Sequence, residues 1–144
     1  PAKPSLYEVK VEIDGDTLID RVGFRTIAVA GTEILLNGQP TFLKGVSLHE
    51  EPIGGDGGRR IEDADARALL MEAKALGANF VRLAHYPHNE RTVRLADQLG
   101  LLVWSEVPVY WEEIRYTNLK TLALARRMVR EMIARDDNRA SVVI

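Results

Sequence analysis

Three short groups of residues in this chain have the types and spacing that could do chemistry. The first is Ser47, His49, Glu50 and Glu51. The second is Arg82, His85, Tyr86, Pro87, His88 and Asn89. The third is Ser105, Glu106, Tyr110, Trp111, Glu112 and Glu113. Carboxylates and imidazoles bind hydroxyl groups and move protons, and a guanidinium fixes an anion. Trp and Tyr rings stack on the C–H face of a sugar. Around a concave surface, such a mixture suits a polyhydroxylated ligand.

Each group also has a plainer reading. Arg82 ends an apolar run, so it could form a buried ion pair with a neighbouring loop, and Glu106 could be the structural partner of such a pair. His85-Tyr86-Pro87 could be a turn, with Pro fixing φ. His88 reads as a solvated loop residue and Trp104 as core. The three histidines of the chain are divided between two loops, which is not a ligand spacing, so no metal is assigned. Gly54 to Gly58 lacks the Gly-Lys-Ser/Thr and the following helix of a phosphate-binding loop, so it reads as a rim loop.

The elements that must position these groups follow from hydrophobic period. Leu6 to Ile13 alternates between apolar and polar residues, the mark of a half-covered strand. Asp14-Gly15 makes a turn, and Asp20 to Val29 resumes the alternation. Asn37-Gly38 separates Glu33–Leu36 from Thr41–Val46 as a second hairpin. The period then changes to that of helices. Residues 62–76 put Ala66, Leu69, Leu70, Ala73 and Leu76 on one face, with Gly77 as a stop, and residues 90–99 end at Gly100. A third helix spans about 118–135, with Leu119, Leu122, Val129 and Ile133 in its packing stripe. Between the helices lie continuously apolar strands at 79–84 and 101–104, and Val142-Val143-Ile144 opens another. The order β, α, β, α, β, α, β implies a parallel sheet covered by helices, either open or closed into a barrel. In both architectures the site lies at the carboxyl ends of the strands, where all three groups fall.

The length, 144 residues, suits a single domain. A net charge of -2 gives no electrostatic case for nucleic acid or an anionic membrane, and no apolar run reaches the roughly 20 residues of a membrane span. With no cysteine there is no disulfide or thiolate site. No signal peptide is evident in this segment, and the compartment stays open. Both termini read as cut, because the last residues lie inside an apolar run.

Asn79-Phe80-Val81-Arg82-Leu83-Ala84-His85-Tyr86-Pro87, followed by Asp97 and Gly100-Leu101-Leu102-Val103-Trp104, resembles a signature of family 2 glycoside hydrolases, the β-galactosidase, β-glucuronidase and β-mannosidase group. Leu36 to Pro40, Leu43 to Val46 and His49-Glu50 resemble the start of that family's barrel. Asp136-Asp137-Asn138-Arg139 before Ser141 resembles the approach to its fourth strand. The resemblance covers about 33–144 and implies the end of an immunoglobulin-like β-sandwich over residues 1–32, then the N-terminal half of a (β/α)8 TIM barrel over 33–144.

The activity implied is that of a retaining exo-β-glycosidase on terminal β-linked sugars, with two carboxylates about 5–5.5 Å apart. In the family the acid follows the fourth strand and the nucleophile lies on the seventh, so neither falls within this chain and no catalytic residue is assigned. By position, Arg82 matches the arginine that hydrogen-bonds the nucleophile, and His85 the histidine at the bound sugar. His49, Glu106, Tyr110 and Trp111 match the rim. Leu83 stands where the signature has a small or polar residue. Val107 to Trp111 lacks the acid-and-histidine pair that holds magnesium in large β-galactosidases, so no cofactor or metal is carried over. The expected partners are a β-linked saccharide and either the rest of the polypeptide or a second copy, to cover open strand edges. The chain alone is expected to be inactive. The competing readings are a non-catalytic carbohydrate-binding or structural module and an unrelated, metal-dependent α/β-barrel hydrolase.

Overall fold

The structure, a computed structural model, describes residues 3–52, 61–109 and 119–144. Strands β1 (Tyr7–Ile13) and β2 (Asp16–Val22) form an antiparallel hairpin in which Tyr7 faces Val22 and Ile13 faces Asp16. Asp14 and Gly15 turn it with φ of 48° and 91°, the left-handed backbone that Asp-Gly accepts at low cost. Strands β3 (Ile27–Ala30) and β4 (Glu33–Leu36) make a hairpin turned at 31–32. The division expected at residue 32 therefore falls in the turn between two paired strands. The Asn37-Gly38 turn joins β4 only to the short β5 (Gln39–Pro40). The expected arm over 41–46 does not pair with β4, because Gly45 and Val46 join a parallel sheet instead.

The strand expected from Asp20 to Val29 is interrupted between Val22 and Ile27. Contacts made there with a distant part of the chain explain the break. Gly23 passes so close to Ala140 that an added Cβ would lie 2.9 Å from the alanine Cβ. Arg25 donates from Nε to the Ala140 carbonyl at 3.2 Å, and from Nη2 to the Val142 carbonyl. A tertiary contact outweighs the local alternation.

The parallel sheet comprises β6 (Gly45–Leu48), β7 (Phe80–Leu83) and β8 (Leu102–Ser105), side by side in chain order. A further parallel bridge from Val103 to Val142 begins the next strand on the same edge. Helix α1 (Asp63–Ala75) links β6 to β7, α2 (Glu90–Leu99) links β7 to β8, and α3 (Leu119–Asp136) precedes the bridge at Val142. Ala66, Leu70 and Ala73 of α1, Val93 and Ala96 of α2, and Val81, Leu83 and Val103 of the sheet share one buried core. Both helices thus cover the same sheet face. Strand order that follows the chain without reversal, with helices on one face only, is the wall of a barrel, because a doubly wound sheet reverses its order at a switch point.

Strand alternation puts Phe80 and Arg82 of β7 and Trp104 of β8 on the opposite face, the inner face of that wall. Gly45 is needed there, since a Cβ would lie 2.5 Å from the Phe80 ring. The stripe read as the packing face of α3 is largely exposed: Leu119 is 75% and Ile133 58% accessible. Among the described residues nothing lies over most of it.

Helix α2 has the ends the sequence implies. The Asn89 side chain accepts the Arg91 N–H at 3.0 Å, and Gly100 closes the helix with φ of 70°. Replacing Asn89 with alanine should cost about 1 kcal/mol through the lost cap. A fall in the urea midpoint measures this, and an unchanged midpoint contradicts it.

Candidate functional site

β7 and β8 are paired with Arg82 opposite Trp104. Arg82 therefore stands one residue short of the strand end, and Glu106 directly beyond β8. Their side chains meet at the carboxyl end of the sheet. Arg82 Nε donates to Glu106 Oε1 at 2.6 Å and Nη2 donates to Oε2 at 3.2 Å. This two-point fork fixes the carboxylate in direction as well as distance. His85 Nδ1 lies 3.1 Å from Glu106 Oε2 and 3.3 Å from Arg82 Nη2. Arginine can only donate, so this nitrogen donates to the carboxylate when protonated and accepts from the guanidinium when not. The Trp104 ring lies 5.3 Å from the Arg82 guanidinium carbon, within cation–π range.

Burial alone would raise the Glu106 pKa, but the bonds from Arg82 and His85, and their charges, outweigh it and hold the carboxyl below its ordinary value. The same bond to Glu106 raises Arg82. The cluster is an anion held by a cation, with an imidazole as its third member.

His49 lies at the edge of this cluster, its ring 5.4 Å from that of His85. The structure thus brings together Arg82, His85, Glu106 and His49. Tyr110 and Trp111, and with them Glu112, Glu113 and Gly54 to Gly58, lie outside the described residues. A cavity of about 490 Å³ lies beside Glu106, walled by Trp104, Arg25, Val129, Met132 and Ile133 of α3 and Val142, and Arg82, His85 and His49 do not line it.

Other members of the three groups have structural work. Glu50 accepts the Asn89 N–H at 2.7 Å and the Thr92 hydroxyl at 3.1 Å, so it anchors the start of α2. The Tyr86 hydroxyl accepts the Glu50 N–H at 3.2 Å. His88, read as a solvated loop residue, is instead 2% exposed. Its Nε2 lies 3.0 Å from the Ala84 carbonyl and its ring stacks on Tyr86. Burial lowers its pKa, only partly offset by that hydrogen bond. Trp104, read as core, is 38% exposed and lies against the Arg82 guanidinium. Its register was the available signal: it stands opposite Arg82 on the neighbouring strand and shares its face.

Asp97 belongs to a different assembly. Its Oδ1 accepts the Ser141 N–H at 2.7 Å, so it holds the next strand in place and stands away from the rim cluster.

The sequence profile described as "Glycosyl hydrolases family 2, TIM barrel domain" matches residues 27–144. The chain belongs to this family. It is 34% identical to a β-galactosidase of Arthrobacter sp. (strain B7), over 98% of this chain and 14% of that protein. It is 32% identical to a β-glucuronidase of Streptococcus agalactiae, over 96% of this chain and 26% of that one. Among solved structures, a family 2 β-galacturonidase from Eisenbergiella tayi bound to galacturonate superposes with a TM-score of 0.82 at 36% identity, covering 96% of this chain and 25% of that one. A β-glucuronidase from Ruminococcus gnavus in complex with D-glucuronic acid gives 0.86 at 32% identity, covering 96% and 24%. The chain spans about a quarter or less of these relatives. A TIM-barrel fold and membership of a glycosyl hydrolase family are thereby established.

Proposed function

We propose that this segment supplies one side of the sugar-binding rim of a retaining exo-β-glycosidase, β-glucuronidase-like or β-galactosidase-like in specificity. The observation that carries this reading is the Arg82–Glu106–His85 cluster at the carboxyl ends of adjacent parallel strands, where barrel enzymes keep their sites. Its support comes from relatives whose names are β-galactosidase and β-glucuronidase and from a neighbour holding D-glucuronic acid.

In this reading Arg82 keeps rim carboxylates ionised and aimed, while His85 and His49 bind sugar hydroxyls. Glu106 orders both Arg82 and His85. Tyr110 and Trp111 form an aromatic wall for the ring. Residues 1–32, with the β1–β2 hairpin, are the end of a sandwich of immunoglobulin-like type. The general acid and the nucleophile come from strands later in the barrel, and those strands, or a second copy, cover the open sheet edge.

The test compares two preparations. The 144-residue chain should show no turnover of aryl β-glucuronides or aryl β-galactosides. A polypeptide that carries the remaining barrel strands should hydrolyse one of them with retention. Turnover by the short chain overturns this division of labour. Saturable sugar binding without turnover by the longer one favours a carbohydrate-binding module.

A further inference from the structure

We propose that Arg25, in the segment joining the first hairpin to the second, is a positioning residue for the Glu106 cluster; the role rests on reading that cluster as the sugar site. The link runs through residues 140–144 and β8. Arg25 donates to the carbonyls of Ala140 and Val142. The strand starting at Ser141 uses its other edge to bond β8: Val103 N–H donates to Ser141 at 2.8 Å, Val143 N–H to Val103 at 3.0 Å, and Ser105 N–H to Ile144 at 2.9 Å. Ser105 is the residue before Glu106. The height of Glu106 above the sheet is therefore set by a strand that Arg25 grips from its far side.

The carbonyls of Ala140 and Val142 turn to the edge where Arg25 lies, while those of Ser141 and Ile144 turn to β8, and a carbonyl left without a partner is costly. One guanidinium has enough donors in a fixed fork to satisfy two carbonyls, whereas an ammonium is a point donor. Two further contacts aim the fork. Gly23 lets the segment approach to within contact of Ala140. Asp20, on the preceding strand, pairs with Arg139, just ahead of Ala140. Arg25 and Glu106 also face the same cavity, so a displacement of one is felt in the shape of the other's surroundings.

The experiment is hydrogen exchange on the 144-residue chain, comparing wild type with Arg25→Ala and Arg25→Lys. Arg25→Ala should speed exchange of the Ser105 and Val143 amides by about tenfold or more through local opening. The Ala84 amide, which bonds Leu48 between β6 and β7, should be unchanged. Arg25→Lys should give a smaller increase at the same two amides, because it keeps one of the two bonds. Should Arg25→Ala fail to fold, Arg25→Lys carries the same comparison. Unchanged exchange at Ser105, an equal increase at Ala84, or identical profiles for a folded alanine variant and the lysine variant overturns the role. Exchange does not depend on hydrolysis, so a flat profile defeats the positioning role alone. Absence of turnover by the wild-type longer polypeptide defeats the glycosidase reading alone.

Discussion

Arg139→Ala should lower the free energy of unfolding by about 3–5 kcal/mol, the usual cost of removing one partner from a buried ion pair. The Arg139 side chain is 3% exposed and stands between Asp97, at 1%, and Asp20, at 17%. Its Nη1 donates to the Arg21 carbonyl at 3.1 Å and lies 3.7 Å from Asp97 Oδ2, while Nη2 pairs with Asp20. Two buried polar atoms, Asp97 Oδ2 and Arg139 Nε, have no hydrogen-bond partner among the described residues. A network satisfied only in part adds little net stability, yet removing its cation is expensive. The buried Asp97 carboxylate then keeps its Ser141 bonds but loses the opposite charge beside it.

Acid should shrink this defect. Burial raises the Asp97 pKa despite the bonds from Ser141 and the Arg139 charge. Asp97 therefore contributes most to stability below its unfolded value, and that contribution is lost as pH rises through its folded one. Asp20 is the opposite case. Burial would raise it, but its bonds to Arg139, Arg21 and Arg94 keep it low, so its contribution is lost as pH falls. At roughly pH 3, below ordinary carboxyl values, Asp97 is neutral while Asp20, held low, keeps part of its charge, so the gap between variant and wild type should narrow without closing. Urea midpoints at that pH and at neutrality measure the difference. A loss below about 1 kcal/mol at neutral pH, the size of an exposed pair, or an equal loss at both pH values, contradicts the account. The double variant Asp97→Asn with Arg139→Met should recover much of the loss, since both charges are then gone.

What the sequence discloses here is what neighbours along the chain decide. Asp14-Gly15 and Asn37-Gly38 marked the β1–β2 and β4–β5 turns because positive φ is a local demand, whereas the β3–β4 turn at 31–32 was not read from the sequence. Gly100 marked the end of α2 because a cap satisfies backbone groups within its own turn, while the Asn89 cap at its start was not read. Arg82, His85 and Glu106 were legible through a rule of architecture, that side chains at the carboxyl ends of parallel strands face one rim. Arg25, Gly23 and Asp20 were not. Their partners lie far along the chain, 115 residues for Arg25 with Ala140 and 119 for Asp20 with Arg139, and no local pattern encodes such a pairing. His88 was misread for the related reason that a polar loop residue becomes buried only when Tyr86 and the Ala84 carbonyl close around it. The exposed stripe of α3 marks the converse, an apolar face whose cover no local pattern supplies.

Arg82→Ala should raise the Glu106 pKa and, in a polypeptide carrying the remaining barrel strands, lower kcat/KM by about 100-fold, the scale expected when a reacting geometry is displaced by an ångström or so. The pKa effect follows from the balance at Glu106, where burial pushes up while the Arg82 and His85 bonds push down more strongly. Removing the guanidinium takes away two bonds, at 2.6 Å and 3.2 Å, and its charge, leaving His85 alone to oppose burial. In wild type the depressed Glu106 contributes stability above its unfolded pKa, lost as pH falls through the folded one. The variant loses that contribution at neutral pH and differs least in acid. Carbon-13 NMR of the Glu106 carboxyl against pH reads the shift on the 144-residue chain without any substrate. Arg82→Lys is the sharper control. Lysine keeps the charge but not the fork, so it should hold Glu106 low while still losing most of the activity. Were the lysine variant as active as wild type, charge alone would suffice and the aimed two-point contact would have no role. Were the alanine variant to leave the Glu106 titration in place, the cluster would owe its poise to something other than Arg82.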